Sequence, residues 1–205
     1  PLVAGELKYA PLAPLGAAGL WLLDPTDMTI TATANANVSA SSPFQPTASG
    51  SVLTWATIDA GLAGGNVSVQ TTTGFDAGQA GNITIADSFG YTRANSLTFT
   101  AANSIIVNGS VANFGAGALT MTAGGAGSVA VNRNLTTTGG TVTLTGGTGG
   151  VSMANGTTIN AGAGLIAINA GGGAADLGTG QLLTSNATAS AIQVTNASTL
   201  ALGNV

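Results

Sequence analysis

The feature that most constrains this chain is an alternation of apolar and small polar side chains that recurs along its length. Strand-like units with this alternation include NITIAD, SLTFTA, SIIVNG, ALTMTA, SVAVNR and TVTLTG. Each unit places two apolar residues at positions i and i+2, which is the period of a half-buried β-strand. We find no sustained helical period in the sequence, so the pattern predicts an all-β chain.

The apolar positions fall into three interleaved series. The first series consists of Leu97/Phe99, Leu119/Met121, Val142/Leu144, Ile166/Ile168 and Ile192/Val194. The second series consists of Ile83/Ile85, Ile105/Val107, Val129/Val131, Val151/Met153, Leu177 and Leu200/Leu202. The third series contains the single residues Val111, Leu135, Ile159 and Leu183. Steps within a series are mostly 22 to 24 residues long, and a fixed period in this range indicates a solenoid.

Three short strands in each turn of this length predict a three-sided parallel β-helix. Equivalent residues of successive coils would stack about 4.8 Å apart, with aliphatic side chains inside and Thr and Ser outside. About eight coils would then form a rod about 40 Å long. An antiparallel β-sandwich or barrel is the alternative fold, but its strands have no reason to keep three constant registers.

Glycine and asparagine are assigned to the corners between the strands, because these residues favour turns and left-handed backbone. The glycines expected to adopt a positive φ at corners include Gly139, Gly140, Gly146, Gly147, Gly149 and Gly150. The asparagines expected to stack at equivalent corners are Asn108, Asn132, Asn155 and Asn186.

The regularity of the repeat divides the chain into three parts. Residues 1–18 are interpreted as a non-repetitive segment or an incomplete first coil, with residues 12–23 read as strand. Residues 19–95 are predicted to form irregular coils, and residues 96–205 regular coils.

The irregular part contains extra residues between its predicted strands. Val67/Val69 and Leu97/Phe99 are expected to share a face, although 30 residues separate them. We assign the surplus to loops at 71–82 and 88–95, and the two prolines in 40–50 predict an excursion from the rod.

The composition excludes several classes of protein. Only three residues are basic and the formal net charge is −4, so the chain lacks the positive surface that nucleic-acid binding requires. The mean hydropathy of +0.43 opposes disorder. The longest apolar stretch, residues 12–23, is about half of a membrane span and contains Pro14, so the chain is not expected to span a membrane. Histidine and cysteine are absent, which excludes thiol catalysis and cysteine metal clusters.

The stretch GLWLLDPTDMTI (19–30) is the most specific in the chain. Together with AGLAGGNVSVQTTTG (60–74), AGNITIAD (80–87) and NSLTFTAANSIIVNGSV (95–111), it resembles the filamentous haemagglutinin-like exoproteins of two-partner secretion systems. The resemblance implies a right-handed parallel β-helix, export by an outer-membrane partner transporter, and a secreted or surface-exposed bacterial adhesin. The Asn-Pro-Asn motif of that family's secretion domain is absent. The chain is therefore similar to an internal shaft segment of such a protein.

Two functions from different classes follow from these observations. The first is a structural shaft of an adhesin, with no catalysis, no cofactor and no metal. The second is a β-helix that binds or processes polysaccharide, because β-helical enzymes that act on pectin cluster aspartates with Arg or Lys. Its ligand, a host or matrix glycan, would contact a surface in residues 40–95. The candidate residues of that surface are Trp55, Asp59, Asp76, Asp87, Tyr91 and Arg93.

Two further interpretations concern the acidic residues and the ends of the rod. Asp24 and Asp27 could form a catalytic pair of carboxylates, but Asp24 followed by Pro25 is more typical of a turn, with Asp27 capping it or facing solvent. Clustering of the other acidic residues beside exposed aromatic rings would favour the polysaccharide hypothesis, and their dispersal would favour the shaft. Open rod ends would permit end-to-end self-association, so a filament subunit is a third, weaker hypothesis.

Overall fold

The computed structural model describes residues 25–71 and 78–203, and the fold within them is a parallel β-solenoid of about seven turns. Predictions that concern residues 1–24 or 72–77, including the strand at 12–23, lie outside the described residues. The predicted all-β class and the three-sided coil are confirmed, with one short helix added. The sequence predicts about eight coils for the whole chain, and the described residues form about seven.

The described part contains nineteen strands and one helix. In chain order these are β1 (Met28–Thr31), β2 (Ser51–Thr54), α1 (Trp55–Gly64), β3 (Val67–Gln70), β4 (Ile83–Ile85), β5 (Phe89–Tyr91), β6 (Leu97–Ala101), β7 (Ile105–Val107), β8 (Val111–Asn113), β9 (Leu119–Ala123), β10 (Ser128–Val131), β11 (Leu135–Thr137), β12 (Val142–Thr145), β13 (Gly150–Met153), β14 (Thr158–Asn160), β15 (Ile166–Asn169), β16 (Ala174–Asp176), β17 (Gln181–Leu183), β18 (Ile192–Thr195) and β19 (Thr199–Ala201).

Every third strand joins the same sheet, apart from β2, which pairs with β1, so the rod has three faces. The eight-stranded face has the order β19-β16-β13-β10-β7-β4-β1-β2, the five-stranded face β17-β14-β11-β8-β5, and the six-stranded face β18-β15-β12-β9-β6-β3. Neighbouring strands pair in parallel, for example β9 with β12 through Leu119↔Val142. Because each coil repeats the alternation of the previous one, the inward residues of all three faces stack into one interior.

The first two apolar series occupy the interior as predicted, except in the last coil, where Ile192, Leu200 and Leu202 are exposed. Leu97, Leu119, Val142 and Ile166 are paired in register along the six-stranded face, and all four are fully buried. Val67 pairs with Leu97, which confirms that these residues share a face despite the long insertion between them. Each fully buried aliphatic side chain contributes about 1.5–3 kcal/mol, so this interior is the main source of stability.

The third series is confirmed except at its last member. Val111, Leu135 and Ile159 lie in register on the five-stranded face, but the partner of Ile159 is Leu182 rather than Leu183. Leu183 is 44% exposed. Since strand side chains alternate between faces, this one-residue difference reverses which leucine points inward.

The prediction of positive φ at the corner glycines is wrong for most of the residues named. Among those six, only Gly150 has a positive φ, of 83°. Gly140 shows the more common reason for glycine: a Cβ atom there would lie 2.1 Å from the carbonyl oxygen of Gly117 in the preceding coil. Glycine is needed because the backbones of adjacent coils touch at the corners.

The predicted asparagine stack is limited to one pair. The Nδ2 of Asn132 donates to the Oδ1 of Asn108 at 2.9 Å. Asn155 instead accepts from the backbone N–H of Thr179 in the next coil, and Asn186 accepts from Thr188 within its own turn. Asn155 lies one position further along the same corner than Asn132, and Asn186 lies at a different corner, between β17 and β18.

Helix α1 corrects the prediction that the chain contains no helix. It takes the position in the first coil that a strand of the five-stranded face takes in every later coil. Its buried residues are Trp55, Ile58 and Leu62, and the side chain of Thr54 caps its N-terminus by accepting from the N–H of Thr57. Segment 88–95, expected to be a loop, contains β5, the strand that α1 covers.

The proline-containing excursion folds back onto the rod instead of extending from it. Ala36 pairs with Val52 at the free edge of β2, and Phe44 pairs with Val69 at the free edge of β3. The ring of Phe44 is buried. The segment 32–50 and helix α1 therefore cover the edges of all three faces at this end of the rod, which we call the N-terminal cap.

The opposite end of the described rod is uncovered. The strands β17, β18 and β19 are the last in their sheets. Large apolar side chains exposed there are Leu183, Ile192, Leu200 and Leu202, at 41–53% of their surface. They surround a recess of about 700 Å³ that also contacts Leu177, Leu182 and Val194. This open end is an apolar surface of the kind that marks an interaction site or an aggregation risk.

Candidate functional site

The structure joins two of the six predicted surface residues in an ion pair. Arg93 lies in the corner after β5, and Asp59 lies on the outer side of α1. The Nε of Arg93 donates to one carboxylate oxygen at 2.8 Å, and its Nη2 donates to the other at 2.7 Å. Both side chains are about one third exposed. The planar guanidinium and the carboxylate thus form a bidentate link between helix and coil.

This link shifts the titration of both groups. The hydrogen bond from the Arg93 guanidinium lowers the pKa of the Asp59 carboxyl below its ordinary value, although partial burial opposes the shift. The same contact raises the pKa of Arg93. A carboxylate held ionised in this way is an anchor, because a general acid needs its pKa raised towards the working pH.

Trp55 and Tyr91 belong to a buried aromatic cluster. The ring of Trp55 stacks on Phe89 with centroids 4.8 Å apart, and Phe89 stacks on Tyr91 at 5.5 Å. Phe99 contacts Trp55 edge-on at 6.3 Å. Trp55 is 2% exposed and Tyr91 is 5% exposed. The expected ligand surface therefore has no exposed ring from either residue, and both rings pack between the N-terminal cap and the first coils.

The hydroxyl of Tyr91 is buried without a hydrogen-bond partner in the part of the chain that the structure describes. Desolvation raises the pKa of this phenol far above its ordinary value, and the negative charge of Asp59 adds to the shift. The group therefore stays neutral over the physiological range.

The carboxylates of Asp87 and Asp27 accept hydrogen bonds from backbone N–H groups. One carboxylate oxygen of Asp87 accepts from the N–H of Ala32 at 2.7 Å, and its carbonyl oxygen accepts from the indole Nε1 of Trp55 at 2.9 Å. Asp27 accepts from the N–H of Asn82 at 2.6 Å, in agreement with a capping role. Asp76 and Asp24 lie outside the described residues.

The described site is thus a set of tethers for the N-terminal cap. Asp59 with Arg93, Asp87 with Ala32 and Trp55 with Asp87 each join the cap to a later coil. Within residues 25–71 and 78–203, no three acidic side chains approach closely enough to share a metal ion. No helix in the same ranges is both long and apolar enough to cross a membrane.

Thr and Ser were expected to face solvent, but the outward residues of the six-stranded face were not among the candidate surface residues. In β6, β9 and β12 these residues are threonines in aligned pairs: Thr98/Thr100, Thr120/Thr122 and Thr143/Thr145. We call these six residues the threonine array. The motif Thr-x-Thr in LTFT, LTMT and VTLT is the signal that could have revealed it, once the series was read for what faces solvent as well as for what faces inward.

The chain was also compared with known proteins. No protein-family model, curated protein or solved structure matches it.

Proposed function

We propose that this chain is a rigid shaft segment of a secreted or surface-exposed bacterial adhesin, exported by an outer-membrane partner transporter. One observation carries the proposal: an aliphatic interior continues in register from coil to coil, so the chain is a rod of repeated backbone hydrogen bonds. In such a rod each coil contacts mainly its neighbours, and stiffness comes from the repetition. The resemblance to filamentous haemagglutinin-like exoproteins, which extends from about residue 19 to the end of the chain, supports the extracellular location.

The surroundings of the ionisable residues support a mechanical role over a chemical one. Asp59, Asp87 and Arg93 engage in contacts that attach the N-terminal cap. The rings of Trp55 and Tyr91, two of the candidate residues of the ligand surface, fill the space beneath that cap. A shaft uses polar residues in this way, because loss of a cap would expose its apolar interior to water.

The location can be tested with antibodies raised against the purified chain. We expect them to label intact, unpermeabilised cells of the producing bacterium or to detect the protein in the culture medium. Labelling that requires permeabilisation of the cells would overturn the proposed location.

The absence of a ligand on the shaft can be tested on an array of host and bacterial glycans. We expect the folded chain, checked by circular dichroism, to show no saturable binding. As a matched control, Asp59→Asn alters the exposed ion pair but leaves the interior intact. Saturable binding by the unchanged chain, weakened in the Asp59→Asn variant, would favour the carbohydrate-binding hypothesis instead.

A further inference from the structure

The threonine array is a grid of hydroxyl groups in register on three neighbouring strands. Thr98, Thr120 and Thr143 form one column across three coils. Thr100, Thr122 and Thr145 form the second column in the same strands. Columns of this kind repeat about every 4.8 Å between coils, and the two columns lie about 6.6 Å apart along the strand.

The hydroxyls of the array are free to bind something outside the protein. All six side chains are partly exposed, and none of their hydroxyls hydrogen-bonds to another group in the part of the chain that the structure describes. Threonine is β-branched and therefore stiff at χ1, so each hydroxyl and methyl group keeps a narrow range of positions. Little conformational entropy is lost when such a preorganised surface binds.

The charge and shape of this face restrict the kind of partner it fits. The outward residues of the other strands in the six-stranded face are Ser68, Gln70, Ala167, Asn169, Gln193 and Thr195. No described strand of this face contains an ionisable or outward aromatic residue. A charged polymer gains no ion pair there, and a sugar ring finds no aromatic platform. The matching partner is uncharged and has a two-dimensional repeat of its own.

Ice has such a repeat. Two oxygens bonded to the same tetrahedral water lie about 4.5 Å apart when each hydrogen bond is about 2.75 Å long. The repeat along the hexagonal axis is eight thirds of that bond length, about 7.3 Å. The spacings of the threonine grid differ from these two lengths by about a tenth or less, which rotation of the terminal hydroxyls can absorb.

We propose that the threonine array binds ice. Its hydroxyls would take places in the lattice of the first bound water layer, and its methyl groups would restrict the orientation of the waters between them. This activity goes beyond a shaft function and does not depend on it, since it resides on the outer surface of one face.

The test uses the full chain in a small drop with a single ice crystal, held just below the melting point. We expect the protein to facet the crystal and to delay its growth, and a fluorescently labelled sample to enrich in the ice. The growth delay produced by the double variant Thr120→Lys/Thr122→Lys should be at least tenfold smaller than that of the unchanged chain. Lysine is tolerated at an outward strand position, and circular dichroism would verify the fold.

Two further variants make the test specific to the array. Thr136 is the outward residue of β11 on the five-stranded face, so Thr136→Lys adds the same charge elsewhere and should keep the activity. Ala167 extends the first column by one coil, so Ala167→Thr should increase the growth delay. Round, freely growing crystals with the unchanged folded chain would overturn the proposal, as would equal losses in the two lysine variants. Retention on microcrystalline cellulose without any effect on ice would also overturn it.

Discussion

At the scale of single residues, Tyr91 is in conflict with its surroundings. Its ring completes the aromatic cluster beneath the N-terminal cap, but its hydroxyl is buried with no partner in the described part of the chain. A buried polar group that lacks a hydrogen bond costs about 1–3 kcal/mol. The ring stabilises the fold by packing, and the unpaired hydroxyl destabilises it.

Removal of that oxygen should therefore stabilise the protein. We expect Tyr91→Phe to increase the free energy of unfolding by about 1 kcal/mol and Tm by about 3 °C, measured by thermal circular dichroism. Ser51→Ala is a matched control, because the Ser51 hydroxyl contacts the carbonyl oxygens of Asn37 and Ala48. The control should lower Tm. A decrease in Tm for Tyr91→Phe would show that the hydroxyl has a stabilising contact.

The Asp59–Arg93 pair makes stability depend on pH in a definite direction. The pKa of the Asp59 carboxyl is lower in the folded chain than in the unfolded chain. Its stabilising effect is therefore fully present above the unfolded value of about 4, and it disappears as the pH falls through the folded value.

The variant Asp59→Asn tests this dependence. It should lower Tm by about 2 °C at pH 7, a small effect because the pair is partly exposed to solvent. The difference in Tm between the variant and the unchanged chain should be smaller at pH 2, because the carboxyl gains protons as the pH falls. A difference in Tm that is equal at both values of pH would assign the effect to packing instead of charge.

At the scale of elements, the strands were predictable and the helix was not recognised. A strand of this rod needs only two inward aliphatic residues, because pairing in register with the neighbouring coils provides its remaining stability. The three series therefore located most strands from the sequence. Helix α1 occurs once, and its apolar residues Trp55, Ile58 and Leu62 span only two turns. Their spacing of three and four residues is helical, but Gly61 and Gly64 in the same segment disfavour a helix.

The contacts of the candidate site could not be predicted from the sequence, because they depend on the helix that the repeat does not reveal. Asp59 and Arg93 are 34 residues apart in sequence, and their meeting depends on α1 replacing a strand. The repeat determines only what lies one coil away, at steps of 22 to 24 residues. The threonine array, in contrast, follows directly from the repeat and was available in the sequence.

The N-terminal cap depends on Trp55 more than on any other side chain of α1. The indole stacks on Phe89 and donates to the carbonyl of Asp87. Trp55→Ala should therefore lower the free energy of unfolding by about 3–5 kcal/mol and produce soluble aggregates, because the first coils lose their cover. Trp55→Phe keeps a ring in the cluster and should cost less. Size-exclusion chromatography and Tm measure both effects, and an unchanged Trp55→Ala protein would contradict the capping role.

At the scale of the whole molecule, the two ends of the described rod differ. The N-terminal cap covers one end, and apolar residues surround a recess at the other. Head-to-tail growth of a filament needs two exposed ends. We therefore expect concentration-dependent association that stops at two copies, joined through the open end.

Sedimentation velocity over a range of concentrations tests this expectation. The double variant Leu200→Lys/Leu202→Lys places two charges at the open end, where these leucines are 50% and 53% exposed. It should remain monomeric at concentrations at which the unchanged chain dimerises. Species that grow beyond the dimer would contradict the one-ended description and favour a filament subunit.

The central claim is that the coils stack in register to form a rigid rod, and one distance tests it most directly. Six pairings align Thr29 with Ala201 in a single outward column of the eight-stranded face. Because the chain has no cysteine, spin labels can be attached at Thr29→Cys and Ala201→Cys alone. Six coil spacings predict a narrow distance distribution centred at about 29 Å by pulsed electron paramagnetic resonance. A broad distribution, or one centred more than about 8 Å away after allowance for the label arms, would contradict the stacked rod.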